Sequence, residues 1–173
     1  MNIQFQTLTS LSVDFDDLYE SSLPDINNNF LWAPHLETDE QRKEFYKEQL
    51  LDAIAGNCPF SNDNEFLMYR VQIDGVDHLL AAGYIEAETR CFKGHWYLTK
   101  KYNNSRSWIF AAETAPIRAA FFAQHNIETY KAPTHTDSAF YAALKRNSSD
   151  SIIDEVPSFE GAPSNYTALV GRL

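Results

Sequence analysis

Cysteine and positive charge are both scarce in this chain. Its two cysteines, Cys58 and Cys91, stand far apart and form no C-x-x-C pair. They read as reduced thiols of a reducing compartment, not as a disulfide framework or a metal clasp. Fourteen lysines and arginines face 24 aspartates and glutamates, a net charge of −10. That balance argues against an extended nucleic-acid footprint, because phosphate binding needs clustered cations that release counterions. No run of about 18 apolar residues occurs, and the amino terminus carries no charged-then-apolar leader, so neither membrane spanning nor secretion is expected and the cytoplasm is the expected compartment. His35, His78, His95, His125 and His135 make no i, i+4 pair and no H-E-x-x-H; no metal is expected. The G-x-S-x-G elbow of serine hydrolases is also missing.

What is present is the material of one ordinary domain. With 44% hydrophobic and 22% charged residues over 173 positions, a single unit spanning 1–173 can bury roughly two thirds of its unfolded surface. Along the chain, "NIQFQTL" alternates as a half-buried strand, and "SVDFDDLYESSLP" carries Phe15, Leu18, Tyr19 and Leu23 at helical spacing. The loop "DINNNFLWAPH" holds Phe30 and Trp32 and is expected to fold back over a site or the core rim. Thr38 with Gln41 forms a capping box, and Tyr46, Leu50 and Ile54 line one face of the helix that follows, which Gly56 ends. Three strands come next: "EFLMYRVQI", then "HLLAAGYIEAE" after the Asp74-Gly75 turn, then "RCFKGHWYLTKKY".

Pro116 breaks the pattern of "SWIFAAETAPIRAAFFAQHN". The spacing predicts a short extended piece, a cap at Thr114 and a helix from there to about His125, with Pro116 in its first turn. "IETYKA" reads as a strand that Pro133 ends, followed by a helix capped by Thr136, with "SIIDEV" and "NYTALVGRL" as the last strands. The expected fold class is α/β (α+β): a mixed, mostly antiparallel sheet flanked by helices. One basic stretch stands out, with Lys93, Lys100, Lys101 and Arg106 within fourteen residues. It reads as a local anion site or as a solvated hairpin.

This element order, with "AAGYI" at 81–85 and "SAFYAALKR" at 138–146, resembles the GCN5-related N-acetyltransferase superfamily over nearly the whole chain. The first segment looks like that family's Gly-aromatic strand, and the second like its helix bearing a tyrosine, here Tyr141. The resemblance implies acetyl-CoA as co-substrate and an amine acceptor, on a small molecule or a protein, with the chain a monomer or homodimer. It makes Tyr141 the general acid: the departing thiolate needs a proton, and a phenol with a pKa near 10 can donate it. On a helix from Thr136, Phe140, Ala143 and Leu144 form the buried stripe and Tyr141 its edge, a place that suits either a cleft-facing group or an amphipathic filler.

The family's diphosphate loop, [Q/R]-x-x-G-x-[G/A], corresponds to "YNNSRSW", which has no glycine. Asn103, Asn104, Ser105, Arg106 and Ser107 are its substitutes here, Arg106 as a partner for a phosphate oxygen. Leu98 and Lys100 lie on the strand that would grip the pantetheine arm. A helix starting near Thr114 would set Glu113 at its amino end, against an incoming anion. Glu86 and Glu88 are placed on one face of a strand, and Glu86 is the candidate for relaying the amine's proton; a merely solvated carboxylate is the other reading. The acidic surface could steer a cationic acceptor such as a polyamine, lysine or amino sugar. The compact, acidic, asparagine-rich chain is also similar to small acetyltransferase-like proteins of phages. That keeps a second function open, a catalytically inactive binding or virion-associated module, and an unrelated α/β domain is a third possibility.

Overall fold

The computed structural model describes residues 1–11, 15–16, 36–57, 64–99, 107–137, 141–142, 145–146, 151–157 and 164–173. Its strands and helices run β1 (Ile3–Leu8), α1 (Asp39–Ile54), β2 (Glu65–Ile73), β3 (Val76–Ile85), β4 (Cys91–Thr99), α2 (Ser107–Gln124), β5 (Thr129–His135), β6 (Ile152–Pro157) and β7 (Tyr166–Arg172). Residues 15–16, 141–142 and 145–146 are helical as well. The loop holding Phe30 and Trp32, Cys58, most of the 12–24 helical segment, and Phe140, Ala143 and Leu144 of the 136–146 segment lie outside the described residues.

One seven-stranded sheet has the order β1-β2-β3-β4-β5-β7-β6. Every pairing is antiparallel except β4 with β5. Asp74 and Gly75 close the β2–β3 hairpin with φ of 50° and 80°, the left-handed backbone that a tight two-residue hairpin turn requires. Thr38 caps α1 by accepting from Gln41 N–H at 3.2 Å, while the Gln41 side chain accepts from Thr38 N–H at 3.1 Å. This is the reciprocal box its sequence predicts.

Strand alternation sends side chains to two separate cores. On one face Tyr46, Leu50 and Ala53 of α1 pack with Phe15, Met68, Ala82 and Tyr84. On the other, Phe121 and Phe122 of α2 meet Leu67, Tyr69, Val71, Ala81, Ile85, Phe92 and Tyr130. Tyr69 lies 5.1 Å from Phe121 and 6.0 Å from Phe92, ring centre to ring centre.

Three expectations from sequence are corrected. The helix is continuous from Ser107 to Gln124 with Pro116 inside it, so "SWIFA" is neither a strand nor an extended piece. Thr114 is not a cap but a residue 1% exposed in mid-helix. A proline inside a helix costs about 3 kcal/mol. Burial of Phe121 and Phe122, 6% and 2% exposed, returns about 1.5–3 kcal/mol per ring, so packing on the sheet overrides the local preference. At the far end of α2, Arg90 donates to the carbonyls of His125 and Asn126 at 2.7 and 3.2 Å and to Glu65 at 2.8 Å. A guanidinium there satisfies terminal carbonyls that the helix leaves unpaired.

Secondly, β5 continues through Pro133 to His135, and the reason lies in the register. Thr136 N–H donates to the Asn165 carbonyl and Leu173 N–H to the Glu128 carbonyl, so even-numbered positions of β5 bond β7. Pro133 is odd, and its missing N–H falls on the opposite edge, where a proline is tolerated. Thirdly, β3 ends at Ile85, so Glu86 and Glu88 are not on the strand. They belong to a tight turn in which Glu86 N–H donates to the Cys91 carbonyl and Arg90 N–H to the Glu86 carbonyl.

Candidate active site

The sheet comes apart between β4 and β5. Their parallel pairing has three rungs, Cys91 with Thr129, Phe92 with Tyr130 and Lys93 with Lys131, and none beyond, although β4 runs on to Thr99 and β5 to His135. The cause is visible on the other side of β4. Ala82 pairs with Trp96 while Gly83 pairs with Gly94, leaving His95 as an extra residue. Such a bulge bends its strand and increases the local twist, and it begins one residue after the last rung to β5.

The Glu86–Cys91 hydrogen bond also fixes which peptide groups of β4 are spent. Alternation from that rung makes Tyr84–Lys93, Ala82–Trp96 and Leu80–Leu98 the pairs that bond β3. The peptide groups of Tyr97 and Thr99 therefore face the opening, and those of Leu98 do not. At the end of β4, Lys100, Asn104, Ser105 and Arg106 lie outside the described residues, and Ser107 is the first residue of α2. Because the helix starts there and not near Thr114, Glu113 is removed from its amino end, and the first turn holds no acid. The positive end of the helix dipole is thus uncompensated by its own side chains.

Charged groups gather at the vertex of the opening. Lys93 is the register partner of Tyr84, so both point to the α1 face. Its ammonium pairs with one oxygen of Glu86, and Thr89 Oγ1 donates to the other at 2.6 Å. Burial pushes the Glu86 carboxyl up, but the hydrogen bonds from Lys93 and Thr89 and the charges of Lys93 and Lys131 outweigh it and hold the group below the ordinary carboxylate value.

Tyr141 is on the opposite face, half-buried against the core around Phe121 and Tyr130. Its hydroxyl donates to Glu155, 3.0 Å from Oε1 and 3.2 Å from Oε2. Lys145 donates to Glu155 Oε2 at 2.8 Å and lies 5.5 Å from the centre of the Tyr141 ring. The hydrogen bond from Lys145, helped by the one from Tyr141 and opposed by partial burial, lowers the Glu155 carboxyl below its ordinary value. Glu155 belongs to β6, with β7 between it and β5. The structure therefore groups Tyr141 with Lys145 and Glu155, and groups Glu86 with Lys93 and Lys131, on different faces of the sheet. Glu155, Lys145, Thr89 and Lys131 are site neighbours the sequence did not single out. Glu155 and Lys131 become adjacent only through strand pairing, which leaves no local pattern. Among the described residues, no group of three or more His, Cys, Asp or Glu could hold a metal ion, and no helix is long and apolar enough to cross a membrane.

No family model matches the chain, and no curated protein matches it by sequence. Solved structures match it over nearly its whole length. RimL, a ribosomal L7/L12 α-N-protein acetyltransferase in complex with coenzyme A, superposes with a TM-score of 0.60 at 10% identity, covering 100% of this chain and 95% of that one. The PaiA N-acetyltransferase of Thermoplasma acidophilum, also in complex with coenzyme A, gives 0.52 at 15% identity, with all of both chains covered. A Desulfovibrio desulfuricans protein assigned to the GNAT acetyltransferase family gives 0.52 at 13%, covering 99% of this chain and 98% of that one. At these identities the likeness establishes the fold, which is that of the GCN5-related N-acetyltransferases.

Proposed function

We propose that this chain, built on the acetyltransferase fold, is an N-acetyltransferase that moves an acetyl group from acetyl-CoA to an amine on a small molecule or a protein. The observation that carries the reading is the opening beyond Lys93 and Lys131. Among the described residues no strand pairs with the peptide groups of Tyr97 and Thr99 on that side, which suits an extended amide-bearing arm, and at the far end of β4 the acid-free start of α2 suits a diphosphate. Asn104, Ser105, Arg106 and Ser107 are the residues assigned to that diphosphate, with Lys100 beside them and Leu98 fixing the strand between the two gripping residues. The amine nitrogen attacks the thioester carbonyl, the carbon–sulfur bond breaks, the amine loses a proton and the thiolate gains one. Glu86, kept ionised by Lys93 and Thr89, relays the first proton through water. Tyr141 supplies the second, giving up its hydrogen bond to Glu155 to do so. The chain acts in the cytoplasm, as a monomer or homodimer.

A second reading rests on the same hydrogen bond. A tyrosine whose hydroxyl is held by Glu155 over β6 is a structural strut, and the chain would then be a catalytically inactive binding module on this fold. Thermal melting with and without acetyl-CoA separates the two. Ligand at 100 times its dissociation constant stabilises by about 2.7 kcal/mol, a rise of a few degrees for a domain of this size. That rise is expected, together with a Tyr141→Phe variant that keeps it and loses turnover. No rise at millimolar acetyl-CoA would favour the binding module instead, and unchanged turnover in Tyr141→Phe would remove Tyr141 from the chemistry.

A further inference from the structure

We infer that the vertex of the opening, formed by Lys93, Lys131 and Glu86, recognises a carboxylate carried by the amine acceptor, so that the acceptor is an amino acid or a similar zwitterion and not a polyamine. This rests on the acetyl-transfer reading for the identity of the ligand as an acceptor, and on the sheet register for the site. Lys93 and Lys131 are partners on the last rung that joins β4 to β5. Their neighbours Phe92 and Tyr130 both enter the α2-side core, so alternation sends both lysines to the α1 face. Strands in a sheet are about 4.8 Å apart, and like charges placed directly opposite each other are destabilising unless something lies between them.

Only part of that repulsion is answered among the described residues. Glu86 gives one oxygen to Lys93 and the other to Thr89; it is the single carboxylate among the described residues in an ion pair at this vertex. Lys131 acts on it through space and has no ion pair of its own among the described residues. The cluster therefore carries a net charge of +1, in a chain whose acids outnumber its bases 24 to 14. A local positive site at the inner end of the opening runs against the overall composition. A carboxylate there would be shared by two ammonium groups, and a polycation would be repelled from it, whatever the acidic surface does at longer range.

β-Alanine and ethylamine share a primary amine and differ by a carboxylate, which makes them the probes. Titrating each into the full chain while following the backbone amide signals of Lys93 and Lys131 should give saturable shifts with β-alanine and none with ethylamine. Lys131→Gln should weaken the response about tenfold, the scale of one charge-assisted contact, and Lys131→Arg should keep it. Equal responses to the two probes, or no response to β-alanine, overturn the inference without reference to any variant. Acetyl-CoA melting on the same samples keeps the readings apart. A chain stabilised by acetyl-CoA but indifferent to β-alanine loses the carboxylate site and keeps the transferase reading, whereas β-alanine binding without stabilisation by acetyl-CoA does the reverse.

Discussion

Strands β1 to β4 and strands β5, β7 and β6 form two halves of one sheet that are held in different ways. In the first half every strand is zipped to its neighbour by a long antiparallel register, and both faces are covered by aromatic packing. The second half is equally well paired within itself, yet it meets the first through three rungs only. The rings of Phe92 and Tyr130 reinforce that joint on one face, and the charges of Lys93 and Lys131 occupy the other. A sheet joined this way has paired strands on both sides of the opening and a short joint at its vertex.

The largest test of this division is Phe92→Ala. Phe92 is 2% exposed and lies 5.2 Å from Phe122, so the variant should lose about 3–5 kcal/mol in urea unfolding. The loss should come with weaker protection from hydrogen exchange at the Cys91–Lys93 and Thr129–Lys131 rungs. Full protection of those rungs in the variant would mean that the aromatic packing does not hold the joint.

Gly171→Ala probes the second half next. An added Cβ would stand 2.2 Å from the Tyr130 ring, an overlap worth about 1–3 kcal/mol. The double variant with Tyr130→Ala should cost less than the sum of the two single changes, whereas additive costs would show that the ring and the glycine are not in contact.

The smallest effect concerns Glu155. Its carboxyl titrates below its ordinary value in the folded chain, first through the Lys145 hydrogen bond, so on acidification the unfolded chain takes up the proton before the folded one does. The contribution is complete above the ordinary carboxylate value and is lost as the pH falls through the folded one. Glu155→Gln should lower stability slightly at neutral pH, make the acid side of the profile shallower so that it meets the parent at low pH, and leave the β1–β4 half unchanged. A profile identical to that of the parent would show that this surface pair contributes nothing.

The strands with clean alternation and the box-capped helix were legible because their determinants are local: Thr38 with Gln41, Asp74 with Gly75, the run 65–73. What the sequence concealed was set by neighbours distant in the chain. Pro116 is tolerated because Phe121 and Phe122 are buried on a sheet that forms elsewhere, and Pro133 because β4 has already turned away at His95. The same holds for the site. Tyr141 was legible as a residue at the edge of a helix, but its partner Glu155 is set by the pairing of β6 with β7, and Lys131 meets Lys93 only after a crossover through α2.

Binding of acetyl-CoA in this opening requires β4 to offer an extended ligand the peptide groups that no described strand pairs with. Amide hydrogen exchange at Tyr97, Leu98 and Thr99, measured with and without saturating acetyl-CoA, tests it directly. The expected result is fast exchange at Tyr97 and Thr99 beside a protected Leu98 in the free chain, with protection appearing at Tyr97 or Thr99 when acetyl-CoA is added. Three equally protected amides in the free chain, or no change on saturation, would contradict it.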